Sequence, residues 1–131
     1  MERVAVNPVS WSLGLGFNQG EVVSGASRTL YVSGQAATAV DGRPTHPGDM
    51  GAQLGVAVDN LEAVLREAGM TLADLVRVAV YTTDVDALMP EYGVLAGRLA
   101  AAGVAPTTTM LQVERLAIPG LMVELEAIAV A

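Results

Sequence analysis

The chain is expected to fold as an α+β domain: one mixed sheet with two helices on one face, in the order β-β-β-α-β-α-β-β. Three observations predict it. Stretches rich in β-branched residues sit at both ends of the sequence, with helical periodicity between them. The 131 residues fit one domain, spanning 1–131, with enough chain to bury one core. The composition is 52% hydrophobic and only 16% charged. An average soluble domain carries roughly 25% charged residues. Helices on one face leave the other face of the sheet open. In so apolar a chain a second copy is the natural cover, because monomers seldom expose large apolar patches.

The elements follow in order. Arg3–Val6 is a short strand, stopped by Asn7-Pro8. Trp11–Gly20 is glycine-rich and irregular. Glu21–Gly25 and Arg28–Ser33 read as two strands around the turn Gly25-Ala26-Ser27. Asp41-Gly42-Arg43-Pro44 and His46-Pro47-Gly48-Asp49 punctuate a loop. From Met50 the apolar positions Leu54, Ala57, Val58, Leu61, Val64, Leu65 and Ala68 follow the helical period. Asp49 caps this helix, and Gly69 suits the left-handed turn after it. Thr71 caps a short turn at 72–75, and Val76–Thr83 alternates as a strand. Asp86–Ala102 is a second helix with Leu88, Tyr92, Leu95, Leu99 and Ala102 as its stripe, and Pro90 in its first turn. Thr107–Leu116 and Leu121–Val130 are the last strands, joined around Ile118-Pro119-Gly120.

Charge and composition exclude several kinds of chemistry. Fourteen acids against seven bases give a net charge of −7, and all the bases are scattered arginines. Nucleic-acid binding relies on a basic patch that neutralises phosphates, so no nucleic-acid partner is expected. Without lysine there is no Schiff-base nucleophile, and without cysteine no disulfide, thiolate metal site or thiol nucleophile. No apolar run approaches the roughly 18 residues that span a bilayer, and residues 1–20 lack the pattern of a signal peptide. A soluble cytoplasmic protein with no membrane partner is the expectation.

Few residues are left to carry chemistry. Glu124 and Glu126 are two apart and share one face of the last strand, which is expected to be interior. A carboxylate withdrawn from water exchanges protons nearer neutrality, so one of them could act as general base on a bound water. The ordinary reading, two glutamates at a solvated strand end, is the alternative. Thr107, Thr108 and Thr109 fit a strand by propensity. No base or terminal amine adjoins them, so Thr108 is a candidate ligand-binding hydroxyl rather than a nucleophile. His46, the single histidine, has no partners for a metal site or triad and reads as a loop residue. Gly14-Leu15-Gly16 lacks the strand–turn–helix setting of a phosphate loop. Ser33-Gly34 ends a strand, where its amides could hold a ligand oxygen.

Taken together, Tyr31-Val32-Ser33-Gly34-Gln35, Asn60-Leu61, Ala68-Gly69, Val78–Asp84, Tyr92 and Val123–Ala129 resemble the RidA/YjgF family, the reactive-intermediate enamine/imine deaminases, over nearly the whole chain. The resemblance implies a chorismate-mutase-like fold, a homotrimer around a central barrel, and small-molecule pockets between subunits. No cofactor is expected, and with no cysteine and a lone histidine no metal is expected either. Typical members use a serine-glycine pair, an arginine that grips the substrate carboxylate, a glutamate that positions or activates water, and an aromatic residue from the neighbouring subunit. Matched onto this chain, the pair falls on Ser33 and Gly34, the glutamate on Glu124, and the aromatic on Phe17, with Gln19 preserved. The arginine position falls on Thr108, followed by Thr109 and Met110. Between Asp84 and Tyr92 the chain is shorter than those deaminases, and a pocket asparagine there has no counterpart.

The threonine changes the expected substrate. Charge-assisted hydrogen bonds contribute about 1.5–3 kcal/mol each, so a 2-imino acid loses its main anchor. Ser33, Gly34, Thr108, Met110 and Phe17 are expected to bind a neutral, aromatic or acyl-type ligand, with Glu124 as the catalytic group. The expected activity is hydrolysis of an imine, enamine or related reactive intermediate. The alternatives are a metabolite-binding sensor or carrier that uses the same inter-subunit pocket, and a purely structural or chaperone-like trimer.

Overall fold

The computed structural model describes residues 1–131. Two helical segments and their sheet share one core, built from the alternation and the helical stripe (Leu54, Leu61, Leu65, Leu75, Leu95, Val78, Val80, Leu125). Each of these leucines is fully buried, and full burial of such a side chain contributes about 1.5–3 kcal/mol.

Strand β1 (Glu2–Val6) pairs antiparallel with β2 (Gly20–Ser24) as a two-stranded sheet. Between them Trp11–Leu15 forms a 3-10 turn. Strands β3 (Thr29–Ala36), β4 (Leu75–Thr82), β5 (Thr107–Gln112) and β6 (Val123–Val130) make a second sheet in the order β3-β6-β4-β5. Only β4 and β5 run parallel. The α+β class and the placing of the helices on one face agree with the sequence. So does the interior position of the strand that carries Glu124, since β6 lies between β3 and β4. Along β6, Val123, Leu125, Ala127 and Ala129 are buried under the helices, while Glu124, Glu126 and Ile128 point to the open face.

Helix α1 (Met50–Glu67) begins where Asp49 accepts a hydrogen bond from the Ala52 amide at 3.0 Å. It stops at Gly69, whose φ of +72° favours glycine, and the Met70 amide closes back onto the Leu65 carbonyl at 2.8 Å. Thr71 and Asp74 then form a reciprocal capping box around a 3-10 turn, Leu72–Asp74. α1 crosses β3 and β6. The buried Gln53 on α1 is a polar tie: its amide nitrogen donates to the Gly120 carbonyl at 2.9 Å and its oxygen accepts from the Met122 amide at 2.8 Å.

Two expectations are corrected. The sequence predicts β2 beside β3, but β2 pairs with β1. Gly25, at φ +72°, turns the chain away. The Ser27 and Arg28 amides then donate to the Ala131 carbonyl at 2.9 Å, which seats β3 beside β6 instead. Arg3 anchors the hairpin through Glu21 and through the Ala73 and Leu75 carbonyls. The second helix is not continuous. It divides into α2 (Val85–Leu88), a 3-10 turn (Met89–Glu91) and α3 (Gly93–Ala101). It starts at the Asp84 cap, earlier than predicted, so Pro90 falls beyond the first turn. There a proline has no amide to donate and crowds the preceding turn. No helix is long and apolar enough to cross a membrane.

Candidate functional site

Ser33 and Gly34 lie in a β-bulge. Val32 pairs with Ala127 and Gln35 with Leu125, so two residues of β3 oppose the single Glu126 of β6. The bulge brings the α-carbon of Gly34 against Glu124. A Cβ at position 34 would stand 1.7 Å from Glu124 Oε1 and 2.6 Å from its Cδ. Glycine is needed here by close approach rather than by backbone angle. Glu124 is half-buried, flanked by Ala36 on β3 and Tyr81 on β4, and is absent from the ion pairs of the chain. Glu126 has a different environment. It is exposed and accepts a hydrogen bond from the Tyr81 hydroxyl at 3.2 Å. The negative charge of Glu126, then burial, holds the Tyr81 phenol above its ordinary range. The two glutamates share a face yet are not equivalent: one is tied to a phenol, the other rests on a glycine.

The threonine run splits between the two faces of β5. Thr108 pairs with the buried Val78, so Thr108 and Met110 face the helix layer. Thr109 faces the open side and accepts from Arg77 at 3.3 Å. The Thr107 hydroxyl donates to the Val76 carbonyl at 2.7 Å, and that of Thr108 to the Pro106 carbonyl at 2.9 Å. No base adjoins Thr108 in these contacts; its hydroxyl proton is committed while its lone pairs can still accept.

Thr108 and Met110 line a cavity of about 180 Å³ together with Leu15, Phe17, Met89 and Tyr92. Phe17 is set edge-on against Trp11, with ring centroids 5.8 Å apart. No charged side chain lines this cavity. Burial pushes the Tyr92 phenol above its ordinary range.

The structure therefore brings the expected site residues together in two groups. Gly34 meets Glu124 on the open face, with Ser33 beside it in the bulge. Phe17, Thr108 and Met110 meet on the helix side. Thr108 is level with Ala127, two strands from β6 and three residues along from Glu124. At strand spacings of ~4.8 Å and rises of ~3.3 Å that is about 14 Å, on opposite faces. Within one protomer the two groups do not face a common ligand.

Other candidates are quieter. His46 is exposed in its loop, with Nδ1 3.1 Å from the Thr45 hydroxyl. No group of three His, Asp or Glu residues is arranged to hold a metal. Gly14-Leu15-Gly16 closes the 3-10 turn, and Gly16 takes φ +87° as its cap. Leu15 and Met89 look like ordinary apolar positions in the sequence, and Tyr92 stands out there as a stripe residue and a family mark rather than as a cavity wall. The one available signal is a hydroxyl-tipped residue, Tyr92, within an otherwise aliphatic helical stripe.

A family model described as Endoribonuclease L-PSP matches residues 15–131. A solved structure of a Rid-family protein from Yersinia pestis is 31% identical, with all of each chain covered and a TM-score of 0.85. Escherichia coli TdcF, solved with bound serine, is 27% identical over 88% of this chain and 87% of its own, with a TM-score of 0.70. A protein of Schizosaccharomyces pombe named mmf2, mitochondrial, is 40% identical over 86 residues, which is 66% of this chain. The match spans only 64% of that curated relative's length.

Proposed function

This chain belongs to the Endoribonuclease L-PSP family, also called YjgF or RidA, and on that membership we propose that it is a homotrimer which binds an uncharged small molecule between protomers and hydrolyses an imine or enamine. All 131 residues work as one RidA-like domain in this reading. The observation that carries it is the seat of Glu124 against the bulged Ser33-Gly34 pair on an interior strand. Glu124 takes a proton from a water whose oxygen attacks the imine carbon. Glu124 returns that proton to nitrogen, and as the carbon–nitrogen bond breaks the new hydroxyl gives up its own proton to the departing nitrogen, leaving ammonia and a carbonyl; an enamine first moves its N–H proton to carbon to become the imine. Ser33 and the Gly34 amide hold the substrate on the Glu124 side. Phe17, Thr108 and Met110 of a neighbouring protomer supply the other wall. The reaction asks for no cofactor or metal.

The expected substrate carries no carboxylate at the Thr108 end, because no arginine is there to pair with it. RNA is a poor ligand for a chain of net charge −7 without a basic cluster, whatever the family is called. The cytoplasm is the expected compartment; recovery of the tagged chain with mitochondria would overturn that and align it with the yeast relative.

The test is loss of an enzymatically generated imine, 2-aminoacrylate-derived or neutral and aromatic, in the presence of purified protein. The wild type is expected to speed hydrolysis of the neutral imine. Glu124→Gln should lose about 10²–10⁴-fold, the usual range for a general base. Thr108→Arg should shift preference toward the carboxylate-bearing imine. No acceleration by the wild type or by Thr108→Arg would contradict deaminase chemistry. The second reading, a metabolite-binding protein without turnover, is favoured by the replacement of the arginine position by Thr108. Recovery of an unchanged ligand after long incubation would support it.

A further inference from the structure

The cavity behind Thr108 has a size and chemistry that name the group it takes. Its volume is about 180 Å³, and all its lining side chains but Thr108 are hydrophobic or aromatic. Apolar cavities of about 150 Å³ admit benzene, so this one has room for one six-membered ring and a small substituent. Met89 and Met110 offer polarizable thioethers, which sit well against a ring edge. Phe17 is held in place by its edge-on contact with Trp11 and adds an aromatic wall. None of the seven arginines lines the cavity and the chain has no lysine, so a carboxylate seated here would give up water without gaining an opposite charge.

One polar donor is free. Thr108 spends its hydroxyl proton on the Pro106 carbonyl. Tyr92 is half-buried and lines the cavity, and its hydroxyl makes no hydrogen bond within the chain.

We propose that this cavity seats an uncharged six-membered aromatic ring, and that Tyr92 selects rings bearing a hydroxyl or carbonyl by a hydrogen bond to that substituent. The inference rests on the reading that the Thr108 side forms one wall of the substrate site, and adds to it the substrate class and the residue that sets specificity.

Phenol, toluene and benzoate test it, being rings of similar size that differ in the group presented to Tyr92. Methyl-labelled methionine in the full-length protein provides the readout. Met89 and Met110 line the cavity, the other four methionines do not, and Met89→Leu and Met110→Leu assign the signals. Phenol and toluene are expected to shift both methyls saturably, with benzoate at least tenfold weaker. Tyr92→Phe should weaken phenol about tenfold and leave toluene within twofold. The proposal is overturned if no ring moves these methyls, if benzoate binds as tightly as phenol, or if Tyr92→Phe leaves phenol unchanged. Imine hydrolysis without ring binding would sink this inference and spare the hydrolase reading. Ring binding as stated, retained in Glu124→Gln, without imine turnover in the wild type would do the reverse.

Discussion

Glu124 and Gly34 are one unit. The glycine leaves room for the carboxylate, and any side chain at 34 must displace it. The displaced atoms are the far end of a flexible side chain, and position 34 is exposed, so the fold should tolerate the change. Gly34→Ala is expected to stay within about 1 kcal/mol of the wild type in urea denaturation, while imine hydrolysis falls at least about tenfold. A large stability loss with activity per folded molecule intact would contradict this. Tyr81 supplies a second residue-scale prediction. Its phenol is raised chiefly by the charge of Glu126, so it keeps its proton to higher pH than a free tyrosine, whose pKa is about 10. Glu126→Gln should move one of the three tyrosine titrations, followed by ultraviolet absorbance, to lower pH. At this scale the sequence discloses that Glu124 and Glu126 share a face, because alternation on a strand is local. The bulge that presses Gly34 onto it depends on how β3 registers with β6, and nothing in Ser33-Gly34 announces that register.

Among the elements, the most consequential contact is Gln53. It ties α1 to the chain that enters β6, and so to the strand carrying Glu124. Gln53→Leu keeps the bulk but leaves the Met122 amide and Gly120 carbonyl without that partner. An unsatisfied buried polar group costs about 1–3 kcal/mol, so a loss of at least about 2 kcal/mol is expected in urea denaturation. Faster amide exchange at Met122 should accompany it; unchanged protection there would contradict the role assigned to Gln53. The long helix, its Asp49 cap and its Gly69 stop are legible because capping chemistry is local. The pairing of β2 is not, since Arg3 and the Ala131 carbonyl decide it from distant parts of the chain. Pro90 is visible in the sequence, but its effect depends on where the Asp84 cap starts the helix.

On the scale of the whole molecule, the open sheet face carries Tyr31, 76% exposed, and Leu111, 51% exposed, beside the glutamates. The apolar composition anticipates such a face. The cavity on the far side is not anticipated, because it forms between β5, the Pro90 turn and the Trp11–Leu15 turn. Glu124 and Thr108 lie on opposite faces of one protomer, so a ligand that meets both must be enclosed by two copies. The direct measurement is complementation by co-expression of Glu124→Gln with Thr108→Trp, each inactive alone. In randomly mixed closed rings about a quarter of the sites would pair an intact glutamate with an intact cavity. Recovery of about that fraction of wild-type imine hydrolysis is expected; mixed assemblies no more active than either parent would contradict a site shared between copies.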